Sequence, residues 1–116
     1  MENKKLNKAT GNIGEQIACD FLLSKKFKIL GRNLTYPFGE IDILAEEKGT
    51  IVIVEVKTVK GSGWGSASDL VRHKKQEKLK LLALAVLNDY PGQHIRIDVI
   101  GIDSGKIDHI ENAVSG

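Results

Sequence analysis

Two carboxylates and a lysine lie in two adjacent β-strand patterns of this sequence. Residues 39–45 and 51–57 are rich in β-branched side chains, and a short polar segment separates them, which predicts a β-hairpin. Because side chains alternate along a strand, Glu55 and Lys57 are expected on one face of the second strand. The same alternation places Glu40, Asp42 and Leu44 on one face of the first strand.

The register of this hairpin decides whether the two carboxylates meet. A two-residue turn at Lys48-Gly49 would give the cross-strand pairs Asp42 with Glu55, Leu44 with Ile53, and Glu40 with Lys57. Like charges in opposite positions are destabilising, and a hard divalent cation bound by both carboxylates would offset the repulsion. A raised pKa of one acid, or a salt bridge from Lys57 to Glu40 or Glu55, would offset it without a metal. A three-residue loop would instead place Asp42 opposite Val54 and separate the acids.

Composition limits the class of protein. The chain has 116 residues, of which 41% are hydrophobic and 28% charged, so we expect residues 1–116 to fold as one globular domain. The net charge of +2 does not by itself indicate a polyanionic partner. Cys19 is the only cysteine, which excludes an intramolecular disulfide and a cysteine-rich zinc site. No apolar segment has the length of a membrane span, so we expect a cytoplasmic protein that does not enter a membrane.

The first helical pattern contains a third acid. Helical spacing predicts a helix over residues 12–25, preceded by a frayed segment at residues 1–10. Its predicted core-facing residues are Ile13, Ile17, Ala18, Phe21 and Leu22. Asn12 and Glu15 have the spacing of a capping box, which gives Glu15 a structural role. The alternative is that the Glu15 carboxylate reaches the sheet.

The remaining patterns complete an α/β fold. They predict a strand over residues 27–34, the hairpin strands, a helix from Ser66 or Ser68 to Asp89, a strand over 94–102, and a C-terminal hairpin or tail over 103–116. The first three strands can run antiparallel, and the second helix can then return the fourth strand parallel to the third. The expected core is α-β-β-β-α-β, with a mixed sheet flanked by helices.

The start of the second helix is basic. Lys75 falls on its apolar stripe, between Val71 and Leu79, and most of the surrounding charges are positive. A cluster of one sign favours a polyanionic partner, although a solvated helix face is the common alternative. In the glycine-rich loop that precedes this helix, Trp64 could stack on a nucleobase or fold back as a hydrophobic lid.

Three segments resemble the motifs of the YraN family: Gly14-Glu15, Gly39-Glu40-Ile41-Asp42 and Val54-Glu55-Val56-Lys57. The resemblance extends from Gly11 to Ile102 and includes Arg32-Asn33, Lys74-Lys75-Gln76 and the strand that contains Asp98. Members of this family are small bacterial proteins described as predicted endonucleases. Their restriction-endonuclease-like fold, with PD-(D/E)-x-K motifs, is similar to that of archaeal Holliday-junction resolvases.

The resemblance implies a Mg²⁺- or Mn²⁺-dependent endonuclease that acts on DNA, with branched DNA as one substrate. Asp42 and Glu55 would bind the metal, Glu15 would be an auxiliary ligand, and Lys57 would orient the attacking water and stabilise charge on the phosphate. The expected nucleic-acid-binding residues are Lys60, Trp64, Arg72, Lys74, Lys75 and Gln76. A homodimer is a further expectation, because cutting two strands of a junction requires two active sites. The alternative function is a nucleic-acid-binding module that has the nuclease fold but little or no cleavage activity.

Overall fold

The computed structural model describes residues 2–59 and 73–113, with the backbone alone described for residues 2–12, Val59 and residues 73–76. In chain order the elements are α1 (Glu2–Ser24), β1 (Lys28–Tyr36), β2 (Gly39–Glu47), β3 (Thr50–Val59), α2 (His73–Asp89), β4 (His94–Asp103) and β5 (Lys106–Ile110). This order confirms the predicted α-β-β-β-α-β core, and β5 forms the C-terminal hairpin predicted within residues 103–116.

The five strands form one mixed sheet in the order β1-β2-β3-β4-β5. β1, β2 and β3 are antiparallel neighbours, β4 runs parallel to β3, and β5 is antiparallel to β4. The parallel pair requires a crossover connection, and α2 lies in that connection, as predicted.

The turn between β2 and β3 fixes the register of the hairpin. Lys48 and Gly49 have φ angles of 51° and 84°, and positive φ at both central residues is the signature of a two-residue type I′ turn. Leu44 pairs with Ile53, as predicted for this turn. The three-residue loop considered from the sequence is therefore wrong.

The helices cover opposite faces of the sheet. Ala18, Cys19 and Leu22 of α1 pack against one face, in a core that includes Val52 and Val54 of β3. Leu79, Leu82 and Val86 of α2 pack against the other face, together with Ile51 and Ile53. Alternation along β3 thus divides its side chains between two apolar cores, and the fold has three layers.

α1 differs from its prediction in both length and orientation. It begins at Glu2, so it includes most of the segment expected to be frayed, which contains helix-favouring lysines and no proline. Asn12 therefore lies inside the helix and is not its N-cap. Ile13 and Ile17 are 65% and 39% exposed, whereas Glu15 is buried. The predicted apolar stripe is confirmed for Ala18, Phe21 and Leu22 and is wrong for the two isoleucines, because the first turns of the stripe direct Glu15 towards the sheet.

α2 ends at Asp89, as predicted, and its predicted start at Ser66 or Ser68 lies outside the described residues. Leu79, Leu82 and Val86 are buried as expected, but Leu87 is 40% exposed. Neither α1 nor α2 combines the length and the apolar character that a membrane-spanning helix requires.

Candidate active site

The sheet opens between β2 and β3 where the predicted acidic residues lie. Pairing between these strands runs from the turn only as far as Ile43 and Val54. Beyond that pair, β2 remains paired with β1 as far as Gly39, and β3 remains paired with β4 to the end of the strand. We call this opening, between residues 39–42 and 55–59, the fork.

Counted from the β2–β3 turn, Asp42 is the first residue of β2 inside the fork. Its Oδ2 accepts a hydrogen bond from the backbone N–H of Val56 at 2.8 Å, so the carboxylate takes the position of a backbone acceptor. The predicted cross-strand pairs of Asp42 with Glu55 and of Glu40 with Lys57 are therefore not part of the ladder. The carboxylate separates the two strands.

The alternation of side chains reverses at Asp42. Ile43 belongs to the core beneath α1, but Ile41, two residues earlier, belongs to the core beneath α2. Asn33 in β1 lies between the residues paired with these two isoleucines and has a φ of 53°, a left-handed conformation that Asn tolerates better than most residues. The prediction that Glu40, Asp42 and Leu44 share one regular face is wrong, because the side chains of β2 change faces out of step at Asp42.

The electrostatic environment of Asp42 disfavours its charged form. Burial and, next, the charge of Glu55 raise the pKa of the Asp42 carboxyl from 3.8 to about 6, and Glu15 acts in the same direction. The hydrogen bond from Val56 and the charge of Lys57 only partly oppose this shift. Asp42 is therefore a carboxylate whose ionisation a bound cation would favour.

Glu55 and Lys57 follow on β3. The Lys57 Nζ lies 3.5 Å from Glu55 Oε2, and the Glu55 side chain is only 14% exposed. A raised carboxyl pKa and a lysine salt bridge, the two metal-free alternatives considered from the sequence, are thus both present. They reduce the repulsion between the acids without removing it, since the pKa of Asp42 stays raised.

Glu15 approaches this region from α1. The residue is 8% exposed, and its Oε1 is buried without a hydrogen-bond partner among the described protein atoms. Its nearest described cation is Arg32, whose NH2 lies 3.8 Å from that oxygen. The capping role predicted as one alternative is wrong, because the residue lies in the middle of a longer helix.

The donor set suits a hard cation. In the described parts of the chain, no three His, Cys, Asp or Glu side chains are grouped so that they could hold a metal ion. Mg²⁺ commonly binds proteins through one or two carboxylates and completes its shell with waters and substrate phosphates. Asp42 and Glu55, with the unpaired oxygen of Glu15 behind them, fit that requirement better than the closed nitrogen and sulfur site of zinc.

The predicted nucleic-acid-binding side chains lie outside the described part of the protein. Lys60, Trp64 and Arg72 lie outside the described residues, and of Lys74, Lys75 and Gln76 only the backbone is described, at the start of α2. Lys78 belongs to the basic start of α2 but was not among the predicted binding residues, and its side chain lies against Gly39 at the start of β2. A Cβ at Gly39 would overlap Lys78 Cε, so the glycine of this motif admits a lysine from α2. Lys78 follows Lys74 by four residues, so the two share one face of α2, and this spacing was the sequence signal for Lys78.

A second polar cluster lies on the α1 face and is centred on β4, where Asp98 pairs with Val54 of β3. Asp98 is fully buried and accepts hydrogen bonds from Arg96 Nε and NH2, His109 Nε2 and the Asn112 N–H, at 2.8 to 3.1 Å. Burial alone would raise the pKa of Asp98, but these hydrogen bonds hold it below its usual value. Arg96 also donates to Glu47 at 2.9 Å. The sequence left the face of Asp98 open, and the structure assigns it to this network.

The proton positions in this cluster follow from its partners. Lys25 Nζ lies 2.9 Å from His109 Nδ1. An ammonium group only donates, so Nδ1 accepts and Nε2 carries the hydrogen that it donates to Asp98. With one ring nitrogen accepting and the other donating, His109 links Lys25 to the buried carboxylate of Asp98.

Comparison with known sequences places this arrangement in a family. The sequence profile described as "Uncharacterised protein family UPF0102" matches residues 14–102. The chain belongs to the UPF0102 family. A UPF0102 protein of Thermodesulfovibrio yellowstonii is 47% identical over 107 residues, which cover 89% of this chain and 93% of that protein. Another, from Persephonella marina, is 42% identical over 105 residues, covering 89% and 90%, respectively.

The UPF0102 match confirms the resemblance to the YraN family, since UPF0102 is the YraN-type family. A more distant member, from Rhodococcus jostii, is 37% identical over 115 residues and covers 92% of this chain and 97% of its own. The matched segment contains Glu15, Asp42, Glu55 and Lys57, whereas His109 lies beyond its end. The names of these UPF0102 proteins state no activity.

Proposed function

We propose that this UPF0102 protein is a Mg²⁺- or Mn²⁺-dependent endonuclease that hydrolyses phosphodiester bonds in DNA, with branched DNA as one substrate. The observation that carries the proposal is the fork, where Asp42 lies half-buried near Glu55 with its pKa raised to about 6. Carboxyl groups with strongly raised pKa values are found preferentially at functional sites.

The geometry of the fork supports binding of a cation. The Val56 N–H fixes the orientation of the Asp42 carboxylate through Oδ2, which leaves Oδ1 as the oxygen to face a ligand. Glu55 approaches from the neighbouring strand, and its interaction with Asp42 is unfavourable without a cation. A divalent ion would convert this repulsion into two favourable contacts.

The remaining residues of the site have separate roles in the proposed reaction. When bound, the cation would polarise a phosphoryl oxygen and lower the pKa of a coordinated water. Lys57, beside Glu55, supplies a compact positive charge that can orient that water and stabilise charge on the phosphate. Lys74, Lys75 and Lys78 lie at the start of α2, where their charges would bind the DNA backbone.

The proposal is tested by cleavage of labelled four-way junction, flap, single-stranded and duplex DNA, each with Mg²⁺, Mn²⁺ or EDTA. The isosteric variants Asp42→Asn and Glu55→Gln preserve shape and remove a metal-binding charge. Asp108→Asn is the matched control, because it removes an exposed carboxylate from β5 at the far edge of the sheet. We expect metal-dependent cleavage by the wild type and the control, and its loss in both site variants.

The outcomes separate the two candidate functions. Cleavage that survives both site variants would sink the proposed mechanism. Absence of cleavage, with binding that disappears in a Lys74→Ala, Lys75→Ala double variant but persists in Asp42→Asn, would establish the alternative, a binding module. Paired symmetrical cuts in a four-way junction would support a homodimer, which light scattering can test directly.

A further inference from the structure

Arg32 joins β1 to α1 directly behind the fork. Its NH1 donates to Gln16 Oε1 at 3.0 Å, and its NH2 lies 3.8 Å from Glu15 Oε1. Gln16 in turn donates to Asp20 Oδ1 at 2.9 Å, so the acceptor of the guanidinium is itself held in place. The planar guanidinium therefore contacts two successive residues of the helix.

The contact with Glu15 is incomplete. Glu15 Oε1 and Arg32 Nε are both buried, and neither has a hydrogen-bond partner among the described protein atoms. A buried polar atom without a partner lowers stability, and more so when it is charged. A salt bridge that served only to stabilise the fold would be expected to satisfy these atoms, as Arg96 and Asp98 do in the second polar cluster.

Glu15 also has an unfavourable neighbour. Its charge acts on Asp42 in the same sense as that of Glu55, so three carboxylates from three elements approach one another. The positive charge of Arg32, 3.8 Å from Glu15 Oε1, offsets this repulsion and stabilises the buried carboxylate in its place. The Arg32 side chain is itself 31% exposed.

We propose that Arg32 is a positioning residue, which holds the Glu15 carboxylate near Asp42, where it can accept a hydrogen bond from a water bound to a cation that Asp42 and Glu55 hold. The inference rests on the proposed metal-dependent function. It gives a role in the site to Arg32 of β1, which lies outside the three acidic motifs. Arg32 does not contact the reacting atoms in this scheme and acts only through Glu15.

Three variants test this role in different ways. Arg32→Met removes the charge, whereas Arg32→Lys keeps it but cannot contact Gln16 and Glu15 together in the geometry of a guanidinium. Gln16→Leu leaves both Arg32 and Glu15 intact and removes only the anchor of the guanidinium. Arg96→Lys is the matched control, because it alters a half-buried arginine that binds Asp98 and Glu47 instead.

The measurement is binding of Mn²⁺ to the full-length protein, followed by electron paramagnetic resonance of the free ion, with circular dichroism to confirm folding. Loss of a residue that orients a metal ligand commonly weakens metal affinity by about 10- to 100-fold, which is the loss expected for Arg32→Met and Arg32→Lys. Gln16→Leu should lose less, and Arg96→Lys should bind Mn²⁺ as the wild type does.

The results distinguish failure of this inference from failure of the proposed function. Wild-type affinity in folded Arg32→Lys and Gln16→Leu would overturn the role of Arg32 and leave the metal-dependent function standing. A wild-type protein that binds no Mn²⁺ would overturn both. If Arg32→Met does not fold, the other two variants decide the question.

Discussion

The same sheet contains two aspartates in opposite electrostatic states, one fully buried at position 98 and one half-buried at position 42. Asp98 accepts hydrogen bonds from a guanidinium, an imidazole and a backbone N–H, and these hold its pKa below the usual value despite burial. Asp42 accepts one described hydrogen bond, from the Val56 N–H, and lies among other acids, so its pKa is raised to about 6.

The difference indicates which carboxylate stabilises the fold and which is available for a ligand. A buried charge that its neighbours satisfy needs no further partner, and breaking such a pair is costly. A buried charge repelled by its neighbours lowers stability, and proteins retain such groups mainly where they have a function. Proximity of acidic residues alone would not have separated Asp42 from Asp98.

The largest expected effect on stability is at Asp98, the aspartate whose charge is satisfied by hydrogen bonds. Asp98→Asn should destabilise the protein by about 3 kcal/mol, the low end for breaking a buried ion pair. It removes the anion that Arg96, His109 and the Asn112 N–H share, while half-buried Arg96 keeps its contact with Glu47. An amide NH₂ also cannot accept the hydrogen that His109 Nε2 donates, while Lys25 prevents the ring from adopting the other tautomer. Urea unfolding measures the change, and a loss below about 1 kcal/mol would contradict the structural assignment of this network.

Protonation of Asp98 should have the same effect as the substitution. Because its folded-state pKa is lowered, its contribution is present above the unfolded value of 3.8 and is lost as the pH falls through the lower folded-state pKa. Acid unfolding of the wild type should therefore be steep below pH 3.8, and that of Asp98→Asn shallower.

Asp42→Asn should change the free energy of unfolding in the opposite direction and stabilise the protein at neutral pH. A pKa raised from 3.8 to about 6 corresponds to at most about 3 kcal/mol of unfavourable free energy, and we expect about 1–3 kcal/mol of stabilisation. The amide oxygen can still accept the Val56 N–H, so the hydrogen bond is preserved. Unfolding in EDTA at pH 7.5 gives the comparison.

The pH dependence provides the control for Asp42→Asn. Because the folded protein binds the Asp42 proton more tightly than the unfolded chain, wild-type stability should fall as the pH rises from 3.8 to about 6. In Asp42→Asn this decrease should be absent. An unchanged slope would show that Asp42 is not the source of the unfavourable term.

Metal binding should offset the unfavourable free energy of the Asp42 carboxylate at the fork and so stabilise the protein. At a Mn²⁺ concentration ten times its Kd, the wild type should gain about 1.4 kcal/mol of stability by linkage. Asp42→Asn should gain little, while Asp108→Asn should respond as the wild type does. Equal stabilisation of all three proteins would place the cation elsewhere.

Much of the fold could be predicted because local sequence signals agreed with the tertiary structure. Lys48-Gly49 between two β-branched segments specified the turn, and the turn specified the Leu44–Ile53 pair. The helix before β4 predicted the parallel return of that strand. These features depend on residues close in sequence, so they can be derived without the packing.

The site could be predicted only as a set of residue types. The reversal at Asp42 lies opposite the left-handed backbone of Asn33, a residue on another strand, and simple alternation therefore failed there. The predicted core face of α1 was right at Ala18 and Leu22, but the helical spacing of Ile13 and Ile17 suggested burial of two side chains that the structure exposes. What turns Glu15 inwards is the close approach of Gly14 to β3, which no periodicity reveals.

The smallest expected effect tests this close approach. A Cβ at Gly14 would overlap Thr58 Oγ1, while the next nearest atom, Thr58 Cβ, lies at an ordinary 3.7 Å. Gly14→Ala should therefore destabilise the wild type, even though alanine is favoured over glycine in a helix by about 1 kcal/mol. In a Thr58→Ala background the overlap is gone, and the same substitution should stabilise the protein by about that amount. A double-mutant cycle measured by urea unfolding detects this change of sign. If Gly14→Ala has the same effect in both backgrounds, contact with Thr58 does not determine how α1 brings Glu15 to the fork.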